Sequence, residues 1–304
     1  MYPTISMSNT PTNTQLLSHT ETDELLATIL EQLTRNTFDT SDRELIKQMV
    51  ECLGDTRGLV RLEFAEALGK VGKPAVPLLI DALLHHPNVV VRRAAAKTLT
   101  LIGDPSAVPD LIYALLNDED TVVQGSSIGA LARTGETAVA PLLEILASPD
   151  SIESHKGHAA WALAFIGSKA EAQLYQAYDS DSPEVRAAVV GAIAKVAEEN
   201  RQEKALNLLV HSLDDPAANV RSEAAAVLGN LKYQPAIPKL IKLLEHPEAE
   251  TRKSAALSLM KIGDRHCISS LQTALNRESD TATQKAIALS ISLLERQPED
   301  DDWD

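Results

Sequence analysis

The chain has 304 residues, of which 44% are hydrophobic and only 3% aromatic, so Ala, Leu, Val and Ile must form its core. Its 43 acidic side chains outnumber its 28 basic ones, and the net charge of −15 argues against binding to nucleic acid or to anionic lipid. Because the sequence contains no run of 18 apolar residues and no apolar N-terminal stretch, it predicts neither membrane insertion nor a secretory signal.

The two ends of the chain differ in composition from the middle. Residues 1–20 are rich in Thr and Ser, and residues 298–304 form an acidic C-terminal tail, so we expect both segments to be disordered. Residues 21–37 predict an amphipathic N-terminal cap helix, and residues 38–297 predict a repeat solenoid. The apolar face of the cap helix carries Leu25, Leu26, Ile29, Leu30 and Leu33.

From residue 38 onward, a pattern of Val-Arg, Ala-Ala, Leu and Ile-Gly recurs eight times. Its Arg position falls at Arg61, Arg92, Gln124, Lys156, Arg186, Arg221, Arg252 and Gln284, with spacings of 31, 32, 32, 30, 35, 31 and 32 residues. A period this short indicates one helical hairpin per repeat. No segment alternates with the two-residue period of a strand, so we predict an all-α fold: a right-handed α-solenoid of about eight HEAT-like hairpins.

Each repeat predicts a first helix, A, with Pro in its first turn, and a second helix, B, that begins near the Arg position. Five B helices are followed by a glycine, which suits a C-terminal position with positive φ. These glycines are Gly72, Gly103, Gly135, Gly167 and Gly263.

The recurring arginines Arg61, Arg92, Arg186, Arg221 and Arg252, here called the Arg ladder, allow two interpretations. They could form a row that binds phosphate, or each could pair with carboxylates of neighbouring turns, such as Asp118, Asp181 and Asp215. Recurrence at both ends of the array favours the structural interpretation.

The fourth B helix departs most from the consensus. Positions two, five and nine after the Arg position point about 200°, 140° and 180° away from the core face. In the fourth repeat these positions are His158, Trp161 and Phe165, here called the aromatic ridge. The ridge is therefore predicted to lie on the concave wall, where exposed apolar patches usually mark binding surfaces. The alternative is that these rings close a local gap between B helices.

The same positions in the flanking repeats carry small residues and two cations: Ser126, Gly129 and Arg133 in the third repeat, and Ala188, Gly191 and Lys195 in the fifth. We predict a ligand-binding site in which a flat ligand lies against Trp161 and Phe165 over Ser126, Gly129 and Gly191. Arg133 and Lys195 would bind its two carboxylates. No metal-ligand spacing is present, so we expect no metal site.

The strings from Val91 to Gly103 (VRRAAAKTLTLIG) and from Asp104 to Leu115 (DPSAVPDLIYAL) resemble the short HEAT-like repeat of the cyanobacterial phycobilin lyases of the E/F type. The similarity covers about residues 40–297. A single chain of eight repeats with an acidic tail is most similar to the phycobilisome-degradation members, of the NblB type.

The resemblance implies handling of a linear tetrapyrrole, with phycocyanobilin as a ligand rather than a resident cofactor and with phycocyanin or allophycocyanin subunits as partners. It also implies a cytoplasmic location near the thylakoid surface, which suits a chain with only two cysteines, Cys52 and Cys267. His158 and His155 are the candidate catalytic residues, because histidine can transfer protons near neutral pH.

Three functions remain open at this stage. The first is detachment of the bilin from phycobiliproteins, and the second is a non-enzymatic HEAT-repeat adaptor that binds a protein partner in its concave groove. The third is a bilin lyase that attaches the chromophore. Whether the chain is an enzyme is left undecided by the sequence.

Overall fold

The computed structural model describes residues 17–200 and 202–296, and within these ranges every regular element is helical. Short 3₁₀ turns precede or follow many of the α-helices. In chain order the α-helices of the described residues are His19–Thr34 (α1), Arg43–Glu51 (α2), Gly58–Val71 (α3), Val76–His85 (α4), Val89–Ile102 (α5), Val108–Asn117 (α6), Thr121–Thr134 (α7), Val139–Ala147 (α8), Glu153–Ile166 (α9), Glu171–Ala177 (α10), Pro183–Asn200 (α11), Glu203–His211 (α12), Ala218–Asn230 (α13), Ile237–Leu243 (α14), Ala249–Ile262 (α15), Ile268–Arg277 (α16) and Thr281–Glu295 (α17).

The helices from α2 to α17 form eight consecutive A/B hairpins, which confirms the predicted all-α solenoid. Each B helix (α3, α5 and the following odd-numbered helices) packs extensively against the next B helix, whereas successive A helices contact each other at few residues. In a stacked array the more closely packed layer lies on the inside of the curve. The B helices therefore form the concave wall.

One continuous hydrophobic core runs through all eight hairpins. Within α5, for example, Val91, Ala95, Ala96 and Leu99 are buried, as their helical spacing predicts. The predicted positive φ after the B helices is also confirmed, with values from 51° at Gly167 to 87° at Gly263. Gly103 and Gly263 are left-handed, whereas Gly72, Gly135 and Gly167 combine positive φ with ψ between −127° and −137°, and all five turn the chain back toward the next A helix.

The N-terminal cap helix begins at His19, two residues before the predicted boundary at residue 21. Ser18 explains the difference, because its Oγ accepts a bond from the backbone N–H of Glu21 while the Glu21 carboxylate accepts one from the Ser18 N–H. This capping box places the start of the helix within the predicted disordered segment 1–20. The rest of that segment, residues 1–16, and the predicted tail 298–304 lie outside the described residues.

The Arg ladder has the predicted structural role. Arg92 Nε lies 2.9 Å from Asp118 Oδ2, and Arg186 Nε lies 2.8 Å from Asp215 Oδ2, so each guanidinium binds a carboxylate in the following turn. Asp181 differs from the prediction, because Arg186 binds its backbone carbonyl rather than its carboxylate. Each arginine of the ladder also donates a hydrogen bond from its guanidinium to the backbone carbonyl six residues earlier, in the turn that precedes its own helix.

The ladder is interrupted in the third and fourth repeats. Gln124 keeps only the bond to its own turn, from Nε2 to the carbonyl of Asp118. Lys156 pairs with Glu153 of the same helix, Nζ to Oε1 at 3.6 Å, and within the described residues it has no bond to either turn. The central hairpins therefore lack the carboxylate link between turns that Arg92, Arg186 and Arg252 provide.

Candidate functional site

The aromatic ridge lies on the exposed face of α9. Trp161 is 52% and Phe165 58% exposed, while Ala162, Leu163 and Ile166 of the same helix are buried in the core. The two rings stack on each other, with centroids 5.4 Å apart and planes inclined by 24°. The pair therefore forms a continuous apolar surface open to solvent, rather than filling a gap in the core.

The two candidate catalytic histidines lie at the N-terminal part of α9, and both are half-buried. Burial lowers the pKa of His155, and the neighbouring His158 adds to the decrease, so His155 is mostly neutral at neutral pH. His158 Nδ1 is buried and has no hydrogen-bond partner among the described residues. A buried, unpaired ring nitrogen costs free energy, and a ligand group can reach it only after the imidazole ring turns.

Glycines leave open space on α7 and on the ridge helix α9 itself. A Cβ atom at Gly125 of α7 or at Gly157 of α9 would meet no atom within 4 Å, and one at Gly129 would have only Thr100 Oγ1 at 3.9 Å. Glycine inside a helix is less stable than alanine by about 0.5–1 kcal/mol, and no neighbouring side chain uses the space. Ser126 lies half-buried on the same wall of α7.

The two predicted cations are placed differently from each other. Lys195 of α11 lies beside the end of α9, since its Cβ would be 3.5 Å from a Cβ at Gly167, and its Nζ pairs with Glu198 Oε2 at 2.6 Å. The stem of Arg133 packs against Gly103 at the end of α5, on the side of α7 that faces away from α9. The structure thus brings Lys195, but not the stem of Arg133, toward the ridge helix.

Gly191 has a function in packing that sequence reasoning missed. A Cβ at position 191 of α11 would lie 2.9 Å from Oε1 of Glu223, so the glycine makes room for a side chain that reaches across from α13. Burial raises the pKa of the Glu223 carboxyl, which has no hydrogen bond or ion pair within the described residues. Glu223 lies two positions after Arg221, just as His158 lies two positions after Lys156. This shared repeat position is the sequence signal that could have placed Glu223 on the concave wall.

A second exposed apolar feature, here called the N-terminal groove, runs along α5 between the starts of α3 and α7. It encloses about 480 Å³ and has Leu62, Leu101 and Val122 among its lining residues. These three side chains are 53%, 53% and 43% exposed. Lys97 lies in the same groove, and within the described residues it has no ion pair.

Two further classes of site are absent from the described residues. Among the described residues no group of three or more His, Cys, Asp or Glu side chains is placed to hold a metal ion. Within the same part of the chain no helix has the length and apolar character needed to cross a membrane.

Comparisons with known families agree with this architecture. A family described as HEAT repeats matches residues 76–154, 139–225 and 206–292, and a family described as PBS lyase HEAT-like repeat matches residues 60–85. Among solved structures, a mutant of Kap121p superimposes with a TM-score of 0.57 at 14% identity, over 92% of this chain and 38% of that one. That likeness concerns the solenoid fold alone.

Two relatives identify a narrower group of proteins than HEAT repeats in general. The bilin biosynthesis protein MpeU of Synechococcus sp. (strain WH8020) is 41% identical over 267 residues, which cover 88% of this chain and 90% of MpeU. The phycocyanobilin lyase subunit alpha of Picosynechococcus sp. (strain ATCC 27264 / PCC 7002 / PR-6) is 38% identical over 82 residues, 25% of this chain and 31% of that subunit. The chain therefore belongs to the HEAT-repeat family of phycobilin lyases and bilin biosynthesis proteins.

Proposed function

We propose that this protein binds the phycocyanobilin chromophore of phycobiliproteins on the concave wall of α7, α9 and α11, and helps to detach it during phycobilisome degradation. Phycocyanin and allophycocyanin subunits are the proposed partners, encountered in the cytoplasm near the thylakoid surface. The similarity to a bilin biosynthesis protein and to a bilin lyase supports the ligand class.

The observation that carries this proposal is the stacked, exposed pair of Trp161 and Phe165 beside open space at Gly157. A linear tetrapyrrole is flat and largely apolar, so it can stack on these rings and exclude water from them. Its two propionates need cations, and Lys195 is the nearer candidate once it exchanges Glu198 for the ligand. Arg133 becomes a partner only if its side chain turns away from α5.

Detachment requires cleavage of the thioether between the bilin and a cysteine of the phycobiliprotein. In the proposed elimination, a base removes a proton from the carbon next to the C–S bond, the C–S electrons leave with sulfur, and the thiolate takes up a proton. His155 suits the role of base, because its lowered pKa keeps it neutral. His158 lies one turn further along α9 and is the proposed proton donor.

The binding step is tested by titrating phycocyanobilin into the protein in a Trp303→Phe background, so that Trp161 is the remaining tryptophan. We expect stoichiometric binding, quenching of the Trp161 emission, and loss of at least about tenfold in affinity for Phe165→Ala. Trp161→Ala, followed by bilin absorbance, should abolish binding with less than about 0.5 kcal/mol change in stability, since its side chain is exposed.

The matched control is Tyr113→Ala on α6 of the outer layer, a residue that is 58% exposed, as is Phe165. This variant should bind bilin normally. Unfolding of Trp161→Ala would contradict the proposed position of the ridge, and unchanged binding by it would refute the ridge as the bilin site.

The catalytic step is tested by mixing the protein with intact holo-phycocyanin and recording the absorbance of released bilin. Release by the wild type, loss of release in His155→Ala and His158→Ala, and retained binding of free bilin by both variants are the expected results. Formation of the holoprotein from bilin and apo-phycocyanin would instead identify an attaching lyase.

One observation favours the adaptor as a second candidate. The N-terminal groove with Leu62, Leu101 and Val122 presents apolar side chains that a partner helix could cover, and Lys97 could pair with an acidic residue of that partner. Leu101→Asp should then abolish co-purification with phycocyanin while free bilin still binds. If Leu101→Asp has no effect on phycocyanin binding, the groove is not the contact.

A further inference from the structure

A carboxyl group lies on the concave wall two helices beyond the ridge, in an environment unlike that of the other acids described above. Glu223 on α13 is half-buried, and its Oε1 occupies the space above Gly191 of α11, where a Cβ would be 2.9 Å away. Its side chain therefore leans toward α9, so that its carboxyl lies over the helix that borders the ridge. Adjacent packed helices are about 10 Å apart, which places this carboxyl within reach of a ligand on α9.

Nothing in the described part of the chain satisfies this carboxyl. The carboxylates of the ladder bind guanidinium groups, and the pairing of Glu278 with Arg252 lowers the pKa of Glu278 to about 2. Glu223 has no such partner, and burial raises its pKa. Its oxygens are still reached by solvent, so a ligand with N–H groups can bind this partly desolvated carboxyl directly in place of water.

Small residues form the surface of α11 between the aromatic ridge and Glu223. Ala187, Gly191 and Ala194 of α11 are half-buried, and none of them projects beyond a methyl group, while Ala188 is buried in the core. A flat ligand that stacks on Trp161 can therefore extend over α11 until its edge meets the Glu223 carboxyl.

We propose that Glu223 accepts hydrogen bonds from the pyrrole N–H groups of the bound linear tetrapyrrole, with Gly191 holding the space in which its carboxylate sits. The pyrrole nitrogens are donors and converge along one edge of a linear tetrapyrrole, so a single carboxylate with two oxygens can bind more than one of them. This inference rests on the proposed bilin-binding function and adds the group that recognises the nitrogen edge of the ligand. Glu223 is here a binding and positioning residue.

The test compares phycocyanobilin binding by the full-length wild type, Glu223→Gln and Gly191→Ala. Glu223→Gln should weaken binding about 10- to 100-fold, the usual effect of losing a hydrogen bond to a charged group, and should shift the visible band of the bound bilin. Gly191→Ala should do the same while raising the melting temperature, because alanine stabilises a helix interior and its Cβ displaces only the flexible end of Glu223.

The matched control is Glu63→Gln, which removes the exposed acid at the same position of the first repeat and should leave both affinity and spectrum unchanged. Binding by Glu223→Gln and Gly191→Ala with wild-type affinity and an unshifted band would overturn the inference while leaving the proposed function in place. Absence of bilin binding by the wild type would refute the proposed function itself.

Discussion

The Arg ladder and the aromatic ridge both project from the B helices, yet they differ in recurrence and in environment. Arg92, Arg186 and Arg252 are largely buried, and each binds a carboxylate of the next turn. Trp161 and Phe165 occur in one repeat, are more than half exposed, and contact each other instead of the core.

The difference teaches how to interpret a repeat protein. Each hairpin is stable only against its neighbours, so a residue that every interface needs must recur. The ridge appears in the same hairpin in which Lys156 replaces the ladder arginine and leaves the link between turns unmade. A departure that removes a stabilising contact and exposes two rings fits a role in binding better than a role in stability. Four experiments, from the largest expected effect to the smallest, can contradict or refine this contrast.

Removing one arginine of the Arg ladder is the strongest test of the interpretation that the ladder stabilises the fold. Arg252→Ala should lower the free energy of unfolding by about 3 kcal/mol, because the Glu278 side chain, only 2% exposed, loses its cation. Urea denaturation measures the change. Arg277→Ala, whose ion pair with Glu245 is more than 70% exposed on both sides, is the control and should cost less than about 0.5 kcal/mol.

The second largest effect is expected in how the ion pair of Arg252 and Glu278 makes the stability of the fold depend on pH. The Arg252 guanidinium lowers the pKa of Glu278 to about 2, below its usual 4.5, so the charged form stabilises the fold above about pH 4.5. That contribution should disappear as the pH falls from 4.5 toward 2. Glu278→Gln should therefore be less stable than the wild type by about 2 kcal/mol at pH 7, with the difference shrinking below pH 4. A difference independent of pH would contradict the pairing.

Filling the open space beside the ridge should separate stability from function. Gly157→Ala is expected to raise the free energy of unfolding by about 0.5–1 kcal/mol, since its Cβ meets no atom within 4 Å and alanine favours the helix. The same methyl group should weaken phycocyanobilin binding, because it enters the space beside Trp161. A stabilised variant with unchanged bilin affinity would show that the ligand does not approach Gly157.

Restoring the ladder in the fourth repeat gives the smallest effect. Lys156→Arg should stabilise the protein by about 0.5 kcal/mol, as a guanidinium can reach the carbonyl in its own turn that Arg186 and Arg252 reach in theirs. Thermal unfolding measures the change, and Lys156→Met, whose side chain cannot donate to that carbonyl, is the control. A loss of stability would mean that this turn differs in geometry from those of the other repeats.

Sequence periodicity predicted the parts of the structure that depend on backbone register. The eight hairpins, the positive φ at Gly103 and Gly263, and the exposure of Trp161 all follow from a period near 31 residues and 100° per helical residue. The start of α1 was missed because a single side chain, Ser18, decides it.

The repeat pattern of the sequence could not predict the direction in which individual side chains point. Arg133 and Lys195 share a register position, and both lean toward the preceding helix, so only Lys195 approaches α9. Glu223 reaches over Gly191 because that glycine leaves space, a relation between two repeats that no single helical wheel contains. Contacts of this kind depend on rotamers and on the neighbour's volume.

The interruption of the ladder also has a mechanical consequence. Arginine-to-carboxylate links join the second turn to the third and run from the fifth through the eighth, but none spans the third to the fifth turn in residues 17–200 and 202–296. We therefore expect the curvature of the solenoid to change most easily near α9, where bending breaks no arginine-to-carboxylate pair of the described residues.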